Sequence, residues 1–357
     1  MSTTHKLKPL APFNETPPVR GFARKCDPLG DGVSSIELLP VAPSDLQVVN
    51  SARVSMGKST SKLTDKDTGL INYLAKHKHW TPFSHSQYLL ERKMSVADYL
   101  VWCSKSQDEQ FVRAIIEMNF HLPSEGMVHF YERGSLYAFM KHKVLSERMW
   151  NSNTLSLMAF NMPGHTVDKH LVNDWTAMLS KPNDPWWNKT ELFTGLGWAP
   201  EKLQVAQFRI RMPIFVARQW YKHQIGFTRN EVSRRYVSHT PEFFIPHEWR
   251  LQARNVKQGS SSELHEYSED MHGWVADATY GVQAKYNELI EEENICPEQA
   301  RSILPQSMYT EFVETASIDA YNRMIGLRTE GHAQVEIQKY AKNIEKMLKK
   351  GLTKVAE

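Results

Sequence analysis

Residues 207–220 read QFRIRMPIFVARQW, and the fold is decided in this stretch. Phe208, Ile210 and Met212 alternate with Arg209 and Arg211, the period of two of a strand with one apolar face and one arginine-bearing face. Pro213 then opens a helix that runs through the apolar residues 214–217 into Arg218-Gln219-Trp220. Upstream, helical spacing recurs in residues 44–55 at Leu46, Val49, Ala52 and Arg53, and in residues 68–77 at Leu70, Ile71 and Leu74. Residues 87–94 read as a strand and 96–104 as a helix. From there to about residue 197 the chain is helical and aromatic-rich; with its flanks it holds Trp102, Trp150, Trp175, Trp186, Trp187 and Trp198, a density that calls for burial. Downstream, Ser260, Ser261 and Ser262 mark a loop before a long helix with apolar positions at Met271, Trp274, Val275, Ala278, Val282, Tyr286 and Leu289. Pro297 opens a further helix and Pro305 closes it. A last helix spans residues 333–349, with Lys349, Lys350 and Gly351 as its stop. Four prolines within residues 1–20 make that segment a loosely held arm.

The 357-residue chain is 41% hydrophobic and 23% charged, a globular composition with room for a sizeable core. No run approaches the ~20 apolar residues of a membrane helix, and the polar start argues for a soluble, cytoplasmic protein. Cys26, Cys103 and Cys296 form no CxxC pair, so neither a disulfide framework nor a cysteine zinc site is expected, and no metal is implied. Net charge is only +3, but residues 207–236 carry +6 and the remainder −3. So local a basic segment suits a small phosphate-bearing ligand better than a nucleic-acid polymer; the alternative is a solvated basic face.

Dinucleotide, Walker, nucleophile-elbow and HExxH signatures are absent. Histidines 77, 79 and 85 lack matching acids or cysteines, which favours structural or substrate-facing roles over metal ligation. Cys296 has no neighbouring cation to lower its pKa and is not a candidate nucleophile. What stands out is the run 218–224, RQWYKHQ, followed by 230–236, NEVSRRY. Together with Ala52-Arg53-Val54-Ser55, His79-Trp80-Thr81-Pro82-Phe83, Arg301 before Leu304-Pro305, and Leu327-Arg328 before residues 332–337, HAQVEI, it resembles the flavin-dependent thymidylate synthases, block by block and in the same order.

The resemblance, with the alternating elements, implies an α+β (α/β) fold: a central antiparallel or mixed sheet with surrounding helices, plus a mainly helical insertion, in a homotetramer. Residues 21–91 and 204–357 would form the core and 92–203 a Trp-rich insertion. The implied reaction is one-carbon transfer from methylenetetrahydrofolate to C5 of dUMP, giving dTMP, with FAD as hydride donor and NADPH as its reductant. Hydroxymethylation of dUMP or dCMP is the alternative, and a non-catalytic nucleotide-binding protein is another.

The resemblance also implies roles for residues. Gln219, Glu231, Ser233, Arg235, Arg301 and Arg328 would bind substrate, with Arg235 and Arg301 on the phosphate. Arg328, Ser233 and His79 would be catalytic, the Arg328 guanidinium stabilising charge on the pyrimidine ring. Ser55, His79, Thr81, Lys222, His223, Gln224, Asn230, Glu231 and Arg323 would face the flavin; Ser55 and Thr81, taken alone, read as ordinary cap or surface residues. This chain departs from the family in having Lys222-His223-Gln224 for an Arg-His-Arg triad, one extra residue before Ser233, Ser84 for a common glutamate, and Ser317, Asp319 and Arg323 for Asn, Arg and Asn.

Overall fold

The computed structural model describes residues 25–39, 41, 45–105, 111–119, 126–135, 137, 191–193, 203–237, 239–253 and 260–353. In chain order these open with β1 (Lys25–Cys26), β2 (Ser35–Leu39), α1 (Asp45–Arg53), α2 (Asp65–Lys76) and α3 (Thr81–Ser84). Then follow β3 (Gln87–Ser95), α4 (Val96–Lys105), β4 (Phe111–Asn119), β5 (Met127–Ser135) and β6 (Glu191–Phe193). The rest comprises β7 (Val205–Pro213), α5 (Ile214–Trp220), β8 (Phe227–Glu231), β9 (Arg250–Gln252), β10 (Ser260–Leu264), α6 (Ser268–Glu291), α7 (Pro297–Ala300), β11 (Tyr309–Ser317), α8 (Ile318–Thr329) and α9 (Val335–Thr353).

The main sheet has the order β1-β2-β7-β11-β8, and every pairing is antiparallel. One face is apolar. Phe208, Ile210, Met212 and Phe312 are fully buried there under α5, α8 and α9, with Phe208 edge-on to Tyr321 at 5.3 Å and Trp220 against Tyr340 at 6.5 Å. Each such side chain contributes about 1.5–3 kcal/mol by leaving water. In the middle of this face Glu314 is fully buried, paired with Arg229 and accepting from Trp220 Nε1 at 3.1 Å. Burial raises its pKa, the Arg229 charge opposing the shift.

The other face is polar where α1–α3 lie near it. His85, just beyond α3, is fully buried, its Nδ1 2.8 Å from Thr315 Oγ1, which also accepts from Gln207 Nε2 at 2.7 Å. The Thr64 and Asp67 side chains form a reciprocal cap on α2, and Arg53 at the end of α1 pairs with Asp67, so two helices are tied at one point. Between α5 and β8 the chain turns at Gly226, with φ +80°, where an added Cβ would stand 3.0 Å from Ala320 Cβ.

A second antiparallel sheet has the order β4-β5-β3-β6. It corrects part of the sequence reading: where residues 92–203 are described they give one helix and strands, and the boundary expected at Arg92 falls inside β3. The way in and the way out are neighbours, Leu89 pairing with Phe193 and Glu91 with Glu191. Residues 1–20, 138–190 and 194–202, with Trp150, Trp175, Trp186, Trp187 and Trp198, lie outside the described residues. Three smaller expectations also change. The serines expected as a loop begin β10, paired with β9. Gly351 does not stop α9, which runs to Thr353. The stripe expected on α6 is only partly covered: Tyr286 is buried, Met271, Val275, Val282 and Leu289 are half-buried, and Trp274 is 67% exposed.

Candidate nucleotide site

A cavity of about 730 Å³ opens where the ends of β7 and β11 meet the chain leaving β8 and the 3-10 turn Arg301–Ile303. Antiparallel register makes its floor. Arg211 on β7 lies opposite Glu311 on β11 and shares its face, and the Arg211 guanidinium sits over the Tyr309 ring, 5.7 Å from the centroid. From the loop after β8 come Val232, Ser233 and Arg234; from the 3-10 turn come Arg301 and Ser302. The Ser233 backbone N–H donates to Ser55 O at 3.0 Å, which fixes this loop against the 3-10 turn that follows α1. Gly57, in the left-handed conformation at φ +63°, ends that turn and lines the cavity.

Three residues expected at the site therefore share this wall: Glu231, Ser233 and Arg301. Glu231 accepts from Thr310 Oγ1 at 2.6 Å, and desolvation raises its pKa. Arg301 has no ion-pair partner among the described residues. Most arginines of the basic segment 207–236 are engaged, among them Arg209 with Glu37 at 3.4 Å, Arg229 with Glu314 and Arg234 with the His239 carbonyl. Arg235 does not line the cavity; its Nε lies 3.1 Å from Glu298 Oε1.

A second cluster gathers at the ends of α5 and α8. Arg328 donates from Nε to His223 Nε2 at 2.8 Å and from Nη2 to Gln219 O at 3.0 Å, while Gln219 donates to Gln334 Oε1. Desolvation, with Arg328 and Arg229 nearby, holds His223 down to about 4, so the ring is neutral at physiological pH. Lys222 and Gln224 are exposed beside it, and Arg323 donates to Ile225 O at 3.1 Å.

The remaining expected residues lie apart from the cavity wall. The Ser55 hydroxyl donates to Ala52 O at 2.8 Å, the local role that serine has when read alone. His79 is exposed, 6.2 Å from the Tyr73 ring and 6.3 Å from His77, and Thr81 is exposed at the start of α3. Asn230 is half-buried on β8 opposite Val313. His85, grouped in the sequence with residues 77 and 79, parts from them into the buried polar layer. Sequence reasoning missed Arg211, Arg234, Ser302 and Thr310 as wall residues; the alternation around Arg211 was the one available signal.

An arginine- and glutamate-lined cavity on an antiparallel sheet, walled by the loop of the NEVSRRY motif and by the arginine before Leu304-Pro305, marks the candidate site of this α+β protein. Residues 196–352 match the family described as thymidylate synthase complementing protein. The flavin-dependent thymidylate synthase of Aquifex aeolicus is 29% identical over 323 residues, covering 85% of this chain and 94% of that relative. That of Thermosipho africanus is 38% identical over 149 residues, 41% of this chain and 63% of the relative. A solved UMP/dUMP methylase, PolB from Streptomyces cacaoi, is 18% identical with a TM-score of 0.37 over 88% of each chain. Residues 196–352 are thus similar to that family, and most of the chain is similar to flavin-dependent thymidylate synthases.

Proposed function

We propose that the protein methylates dUMP at C5 to give dTMP, taking the carbon from methylenetetrahydrofolate, in a homotetramer. One observation carries the substrate half: Arg301, a cation without an ion-pair partner among the described residues, faces the cavity beside Ser233 and Ser302, the donor set for a phosphate monoester. Arg328, held at two of its nitrogens by His223 and the Gln219 carbonyl, has a fixed orientation for the pyrimidine edge. A fixed cation stabilises charge developing on the ring without a covalent nucleophile. Glu231, braced by Thr310, completes the polar wall.

The residues also fit a flavin dinucleotide. Lys222 and Arg323 are exposed cations near one turn, without ion-pair partners among the described residues, as a diphosphate requires, and Gln224 adds a neutral donor. His79 and Thr81 precede β3 on an exposed surface where an isoalloxazine ring could lie, and α3 packs near β8 and its Asn230. Bound there, FAD reduced by NADPH would supply the hydride. The test is mass analysis of the product formed from dUMP or dCMP with methylenetetrahydrofolate, FAD and NADPH. Methylated dUMP is expected. A hydroxymethyl nucleotide would change the product, methylated dCMP the base, and tight binding without turnover would leave a nucleotide-binding protein.

A further inference from the structure

Arg211 lies on the same cavity wall, on a rigid strand rather than a loop, and neither the motifs nor the expected site residues assign it a role. Its present partner is Glu242, which does not line the cavity and is 47% exposed at the side chain. An ion pair that open to water holds by about 0.2–1 kcal/mol, little enough for a doubly charged phosphate to displace it. The guanidinium would not need to travel. Tyr309 supplies a platform beneath it and is itself fixed by its hydroxyl donating to Asp31. Without Arg211 the lining would carry Arg234 and Arg301 against Glu231, Glu298 and Glu311. Glu298 is paired with Arg235 at 3.1 Å and Glu311 lies 3.9 Å from Arg209, so their neutralising cations come from outside the wall.

Resting on the nucleotide reading above, we propose that Arg211 is a second phosphate-binding cation of the cavity, exchanged from Glu242 onto the phosphate of the incoming nucleotide. Glu242 then acts as a competitor that sets affinity. The state of His239 agrees: desolvation, then the Arg234 and Arg211 charges, hold this cavity-lining imidazole below its ordinary pKa even with Glu242 present.

The test is titration calorimetry of dUMP and deoxyuridine against the wild type, Arg211→Gln, Glu242→Gln, the double variant and Arg301→Ala. Arg211→Gln should weaken dUMP about tenfold or more and leave deoxyuridine unchanged. Glu242→Gln should tighten dUMP by up to about fivefold, and this gain should vanish in the double variant. Unchanged dUMP affinity in Arg211→Gln, or a gain from Glu242→Gln that persists without Arg211, overturns the proposal. If Arg211→Gln does not fold, Glu242→Gln alone decides, since absence of a dUMP-specific gain overturns it too. Failure of Arg301→Ala to separate dUMP from deoxyuridine would instead remove the nucleotide reading, and this proposal with it.

Discussion

Arg301, Arg328 and His85 differ in what surrounds them, and each environment sets a different measurable. Arg301→Ala should weaken dUMP binding by about 1.5–3 kcal/mol, the range for a hydrogen bond to a charged group, while deoxyuridine binding stays constant. Equal losses for both would end the phosphate assignment. Arg328 is held by His223 and the Gln219 carbonyl, so in the proposed reaction its contribution would grow with charge on the ring. Arg328→Ala should therefore reduce kcat by a larger factor than dUMP affinity; the reverse pattern would make it a ground-state contact. His85 reports on folding. Burial pushes its imidazole down to about 4, below the value of about 6.5 in an unfolded chain. Between these values the unfolded chain binds a proton that the folded chain does not, so stability is complete above about pH 6.5 and falls by about 3 kcal/mol as pH drops towards 4. Urea denaturation across that window should lose one proton of slope, about 1.4 kcal/mol per pH unit, in His85→Gln; an unchanged slope would mean that the ring titrates normally.

Among the elements, the turn from α5 into β8 is the most constrained. Gly226→Ala would meet both a left-handed backbone and the Ala320 methyl, and should cost about 1–3 kcal/mol in thermal or urea unfolding. No measurable loss would mean the turn relaxes. The segments legible beforehand were those with one period and one environment. β7 with α5, as well as α1, α2 and α4, lie between a core and water or polar neighbours, so apolar residues recur at the spacing of the element. β2, β8 and β11 escaped notice. β11 reads YTEFVETAS and is buried on both faces, with Glu314 and Thr315 satisfied by Arg229 and His85 across the sheet, so nothing alternates. The α6 stripe is only partly covered, because apolar spacing records a preference for cover and not its presence. The motifs brought Glu231, Ser233 and Arg301 to one wall, whereas Arg211 looked like the solvated face of a strand until the cavity gave that face something to border.

For the whole molecule, we propose that residues 92–203 are a segment added to a core of residues 21–91 and 204–357, because long additions are tolerated where their ends meet and β3 pairs with β6. Replacing the segment with a short Gly/Ser linker should leave a folded core that binds dUMP, with changed oligomer mass by light scattering or changed folate dependence. An unfolded product would place the region within the main core. The sheet order has a further consequence, for synthesis. β11 lies between β7 and β8, its Val313 opposite both Arg209 and Asn230, although both partners leave the ribosome well before it. Among the described residues β8 has no other strand to pair with, and β7 without β11 keeps one edge open. A growing chain that has not reached Tyr309 therefore presents unpaired strand edges, the form most prone to join another chain, until the sheet's middle strand arrives to close it.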